Sequence, residues 1–204
     1  MKITSAENLV SLDTDRPIWD RFFTVAPLVV IGTKEGEQYD LAPKHMATPL
    51  GWDNYFGFVC TPKHRTYWNV KDYRAFTVSF PWPNQTIITS LTASPRCNDV
   101  PQGSKPVLQE LPTISAQEVD GIFLQDSYLF LECELVKIID GFGANSLITG
   151  QVVAAQVHES ALRTSEQDDQ QLLYQAPLLA YLNPGRFATI QNTNAFPFPA
   201  NFEK

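Results

Sequence analysis

The chain divides into short runs rich in Val, Ile, Thr and aromatic residues, each closed by a Gly, Pro or Asn signal. No other feature restricts the fold as much. Residues 22–33 (FFTVAPLVVIGT), 55–60 (YFGFVC), 75–80 (AFTVSF), 128–139 (YLFLECELVKII) and 147–158 (LITGQVVAAQVH) all read as strands. Turn residues bound them at 32–38, 61–64, 81–84 and 140–143. Many strands with tight turns and few helical patches predict a mainly β barrel or sandwich.

Three segments carry helical signals. Residues 66–73 (TYWNVKDY) form a short patch. Residues 165–181 place acidic side chains early and apolar ones late. They are interrupted by Pro177 and stopped by Asn183-Pro184-Gly185. Ser115 and Glu118 have capping-box spacing, which predicts a helical turn over 115–119. Residues 81–112, rich in Pro, Ser, Thr and Asn, read as a long excursion between strands, of the length that often carries function. The tail 192–204 alternates aromatic rings with prolines and is expected to pack on a surface, such as that of a partner subunit.

Length and composition suit one domain over 1–204, with its core at about 20–190. The chain has 204 residues, 44% apolar and 18% charged, which excludes disorder and coiled coil. No apolar run reaches the ~20 residues of a membrane span. The first seventeen residues are polar and acidic, so no export signal is expected, and a reducing cytoplasm fits. A net charge of −7 argues against nucleic acid and anionic membrane as partners. Cys60, Cys97 and Cys133 are odd in number and widely spaced. They predict buried thiols, with no disulfide framework and no metal site.

Four places could carry chemistry. Thr61-Pro62-Lys63-His64-Arg65-Thr66 sits between a strand and a helical patch, where amides and the helix dipole favour an anion. Arg65 offers a bidentate fork and Thr66 a hydroxyl. A solvated basic turn would show the same residues. No P-loop or dinucleotide glycine pattern occurs. Residues 42–52 (APKHMATPLGW) place His45 among small residues that let a flat ring approach; His45 is a candidate acid/base or a turn residue. His158 ends a strand without a nucleophile motif and reads as structural. Residues 181–187 turn at Gly185 and project Arg186, as a ligand contact or as a surface charge.

In order, these pieces resemble the flavin reductase-like family, the FMN-binding split-barrel fold. The resemblance runs through Ala26-Pro27-Leu28-Val29-Val30-Ile31-Gly32-Thr33, Asp40-Leu41-Ala42-Pro43, Met46-Ala47-Thr48 and Arg65-Thr66-Tyr67-Trp68-Asn69. It continues through Ala75-Phe76-Thr77-Val78-Ser79, Leu131-Glu132-Cys133-Glu134-Leu135, Ile148-Thr149-Gly150-Gln151-Val152-Val153, and Pro177 to Phe187. It implies a split β-barrel with a few short flanking helices, acting as a homodimer with one FMN per subunit. It implies that His45, Met46, Ala47 and Thr48 flank the isoalloxazine edge. Cys60, Thr61, His64, Arg65, Thr66, Asn69 and Arg186 would hold the rest of the cofactor. The function implied is an FMN-dependent oxidoreductase, passing electrons from NAD(P)H to a small acceptor or an oxygenase partner.

Two departures keep an alternative open. Asn145-Ser146 stands where reductases often carry a His, and His45 stands near the place of an Asn. An FMN-holding electron carrier without nicotinamide turnover, or a barrel that has lost flavin, remain the other readings; the Arg65-Thr66 loop argues against the latter.

Overall fold

The computed structural model describes residues 9–96 and 104–200. Seven strands form one antiparallel sheet: β2 (Val29–Glu35), β3 (Gln38–Lys44), β4 (Ala47–Pro49), β5 (Tyr55–Cys60), β6 (Ala75–Phe80), β9 (Leu129–Phe142) and β10 (Asn145–Val157). Their order is β3-β2-β6-β9-β10-β5-β4, and the sheet curls into a half barrel. A second sheet joins β1 (Thr24–Pro27), β11 (Leu178–Asn183) and β12 (Arg186–Ile190); β7 (Thr113–Ser115) and β8 (Ile122–Leu124) form a small ribbon. The helices are short: α1 (Arg65–Tyr73), α2 (Thr86–Leu91) and α3 (Asp169–Gln175). The split-barrel expectation is met.

Strand β2 explains the density of its sequence. Val29 and Ile31 enter the main core with Phe56, Phe58, Val70, Phe76, Val78, Cys133 and Ile148. Val30 faces the other way, onto Leu41, Leu111 and Leu124. A strand covered on both faces has no polar side to alternate with, so its apolar run is continuous. The second layer comes from the long excursion, whose Ile88, Val107 and Leu108 pack against that cluster. Gly32 permits the close approach: a Cβ there would collide with the Ile122 carbonyl and the Thr77 hydroxyl. Those two groups bond to each other, Thr77 Oγ1 donating to Ile122 O.

Three expectations are corrected. The run 22–33 is not one strand: β1 and β2 belong to different sheets and part at Leu28. The helix expected over 165–181 stops at Gln175, and beyond Pro177 the chain becomes β11, because Leu178–Asn183 pairs on both sides with β1 and β12. Asn183-Pro184-Gly185 is thus a hairpin turn, not a helix stop. Over 115–119, Ser115 ends β7 and the rest is a loop, not a helical turn. The amides of Gln117, Glu118 and Val119 donate to the buried carboxylate of Glu132, at 2.6 to 3.1 Å. The Glu118 amide is thus taken by a carboxylate of β9 and not by a local cap.

Cys60 and Cys133 are buried, as expected, and burial pushes both thiols up, Cys133 to about 12. Cys97 and the end of the tail lie outside the described residues. Among the described residues, no helix is long and apolar enough to cross a membrane.

Candidate functional site

Strand β5 ends at Cys60 and α1 begins at Arg65, so residues 61–64 make a tight connection. It is held by its own groups: the Lys63 and His64 amides donate to Thr61 Oγ1 and Thr61 O, at 3.3 and 2.9 Å. His64 occupies the N-cap in an extended conformation, with no side-chain capping bond. The Tyr67 amide turns back to His64 O at 3.2 Å, while the amides of Arg65 and Thr66, at the positive end of the helix, have no side-chain cap.

Before that helix end lies a cavity of about 390 Å³. Its floor is β3, with Asp40, Ala42, Pro43 and Lys44; one wall is residues 63–66, the other residues 92–96 and Lys105. Lys44, Lys63, Arg65, Arg96 and Lys105 line it against one carboxylate, Asp40. A chain of net charge −7 thus gathers five of its 15 Lys and Arg side chains around one small space.

These charges form a chain of alternating sign. Arg65 Nε lies 3.4 Å from Glu35 Oε1. Arg96 forks onto both Glu35 oxygens at 2.9 and 2.7 Å and reaches Asp40 Oδ2 at 3.1 Å. Lys105 Nζ meets Asp40 Oδ1 at 3.2 Å and donates to Leu41 O at 2.7 Å. Burial pushes the Lys105 ammonium down from its ordinary value, and Asp40 pulls it part of the way back. A second cavity of about 860 Å³ shares Arg65, Arg96 and Lys105 with the first.

His45 sits at the bend between β3 and β4, next to Lys44 of the cavity lining but not itself part of that lining. In β1, Ala26 pairs with Tyr181; three residues later, in β2, Val29 pairs with Lys44. The short stretch between them brings Tyr181 beside His45, and the two rings stack with centroids 4.4 Å apart. His45 Nε2 is buried without a hydrogen-bond partner, and so is Arg65 Nε. Desolvation, then the charge of Lys44, holds the His45 imidazole below its ordinary value. His64 is held down by desolvation of its ring, then by Lys44 and Lys105, although the residue as a whole is exposed.

Of the residues read from the sequence, the structure brings His64, Arg65 and Thr66 to the cavity wall. Thr61 anchors the loop beside them, and the Cys60 Sγ sits 3.8 Å from Thr61 O. Met46 is half exposed, Ala47 is in the core, and Thr48 donates its hydroxyl to Pro49 O at 3.2 Å. Asn69 points elsewhere: its Nδ2 donates to Thr33 Oγ1 at 3.0 Å inside the molecule. Arg186 is exposed at the start of β12, away from the cavity lining. Sequence reading missed Asp40, Glu35 and Lys105. The one signal for Asp40 was a carboxylate in a strand whose next residue, Leu41, belongs to the core.

The site suits an anion. Lys44, Lys63, Arg65, Arg96 and Lys105 and the start of α1 face one cavity, and Arg65 Nε, paired with Glu35 at 3.4 Å, makes no hydrogen bond.

Residues 21–189 match the family model described as flavin reductase like domain. Three solved structures share the fold. An FMN-binding protein from Thermus thermophilus is 21% identical, with a TM-score of 0.70 over 96% of this chain and 99% of that one. The 2-nitrobenzoate 2-nitroreductase of Pseudomonas fluorescens is 18% identical, TM-score 0.70, covering 88% and 87%. Nitrilotriacetate monooxygenase component B from Mycobacterium thermoresistibile is 14% identical, TM-score 0.66, covering 89% of each. At these identities the likeness is one of fold.

Proposed function

Since the chain belongs to the flavin reductase like domain family, we propose that its oxidoreductase chemistry runs on FMN held at this basic cavity, with residues 1–204 acting as one domain. The phosphate would lie between the start of α1 and the Arg96–Lys105 wall, with Thr66 and Arg65 donating. His45, Met46, Ala47 and Thr48 would flank the isoalloxazine edge. When bound, FMN supplies two-electron redox chemistry. The protein would hold the phosphate by charge and keep His45 neutral beside the ring. NAD(P)H is the proposed donor. The proposed acceptor is a small molecule or an oxygenase, since one protein of like fold is a monooxygenase component. A homodimer would complete the site.

The observation that carries this reading is the concentration of cations around one cavity in an acidic chain. Its test is the visible spectrum of the purified protein, before and after FMN is added and the excess removed. Retained FMN in preference to riboflavin is expected; no retained flavin would remove the bound-cofactor reading.

One feature favours the electron-carrier alternative. Asn145-Ser146 stands where reductases often carry a His, and the Ser146 hydroxyl donates to Asp140 at 2.6 Å. Steady-state oxidation of NADH and NADPH separates the two: turnover supports the reductase, and a stable FMN complex without turnover supports the carrier.

A further inference from the structure

We propose that Asp40 is a positioning residue for the cofactor phosphate: although it carries the same sign of charge, it raises affinity by holding Arg96 and Lys105 in the cavity wall. This rests on the FMN reading above.

Arg96 and Lys105 stand on either side of residues 97–103 and converge on one carboxylate, at 3.1 and 3.2 Å. Two cations this close repel unless an anion lies between them. Both are largely withdrawn from water, with side-chain exposures of 13% and 7%, and Asp40 itself is at 4%. An ammonium so buried needs a partner to remain charged in place. Asp40 is fixed by the sheet, opposite Thr33 in the β2–β3 register. It therefore supplies both the counter-charge and a rigid point of attachment. Lysine has three donors. Asp40 and Leu41 O engage two, and among the described residues no third partner is found.

Glu35 continues the arrangement by joining Arg96 to Arg65, the first residue of α1. Three cations and two carboxylates leave one positive charge in excess at a fixed place. Simple repulsion says that removing Asp40 should favour an anion. That repulsion acts across an open, solvated cavity and is screened, whereas the loss of a counter-ion by two withdrawn cations is not. Organisation should outweigh repulsion.

The test is titration of the full chain, freed of flavin, with FMN and separately with riboflavin, followed by quenching of flavin fluorescence. Asp40→Asn should lower FMN affinity about tenfold, the size of one charge-assisted hydrogen bond, and leave riboflavin within about twofold. An equal loss for both ligands would report general loosening and overturn the proposal, as would an unchanged or increased preference for FMN. If Asp40→Asn does not fold, Asp40→Glu keeps the charge and displaces both cations. It should lose part of the preference, and an unchanged preference would overturn the proposal. Wild-type protein without any preference for FMN would remove the reading beneath it, a result distinct from failure of the variants.

Discussion

The imidazole of His45 and the phenol ring of Tyr181 stack with centroids 4.4 Å apart and planes inclined by 27°. They lie far apart in sequence, His45 in the bend between β3 and β4 and Tyr181 in β11 of the other sheet, and the contact ties the β3–β4 corner to the β11–β12 hairpin. Tyr181 is itself held, its hydroxyl accepting the Gly185 amide at 2.9 Å.

Replacing Tyr181 by Leu should therefore cost about 1 kcal/mol beyond its lost area, the size of an aromatic pair. Tyr181→Phe keeps the stack and loses only the bond to Gly185, so it should cost less. Urea unfolding of the two variants measures the difference. If Phe proves as costly as Leu, the hydroxyl and not the stack is what matters.

His45 should make the protein acid-sensitive. Its folded pKa lies below the ordinary value because of desolvation, then Lys44. The unfolded imidazole titrates near ~6.5. Below that pH the unfolded chain holds more protons than the folded one, so stability falls as pH drops toward the folded pKa and is fully present above ~6.5. The ring is half exposed, so the effect is small. Melting temperatures from pH 7.5 to 5.5 should decline less steeply in His45→Asn than in the wild type. Parallel slopes would exonerate the imidazole.

Arg65 lies within reach of both Glu35 and the cavity. Arg65→Ala should weaken FMN binding by about 1.5–3 kcal/mol, the range for a hydrogen bond to a charged group. Isothermal titration reads this directly. Unchanged affinity would place the phosphate elsewhere in the cavity.

Glu132 should matter for stability rather than for binding. Its carboxylate takes the amides of Gln117, Glu118 and Val119 while lying 3% exposed. Glu132→Gln places an NH2 group against these donors and should cost about 2–3 kcal/mol. Chemical denaturation checks the cost, and FMN affinity should not move.

What the sequence shows of this molecule follows the range of the interactions involved. Residues 55–60 and 75–80 are read to the residue, because a turn signal bounds each run and one strand fills it. Residues 22–33 are read as one strand, since both halves are apolar; Pro27, which cannot donate to a ladder, stands at the change of sheet, but only the pairing partners show that the chain changes sheet there. Pro177 is visible, yet an apolar stretch such as Leu178–Asn183 suits a helix as well as a strand, and only pairing with β1 and β12 decides it. The loop after Ser115 depends on a carboxylate fourteen residues from Glu118. The site divides in the same way. His64, Arg65 and Thr66 are contiguous and legible. Asp40, Glu35 and Lys105 come from separate segments, and their meeting depends on sheet register and on the path of the excursion.

The break at Leu28 works as a ruler. Pro27 pairs with Ala180 on one side and Val29 with Lys44 on the other, so a single residue spans the gap between the two ladders. An insertion or deletion here would put Tyr181 out of phase with His45 and invert the facing of β2 as well. Between Ala26 and Val29 the number of residues is itself inherited, whatever their identities.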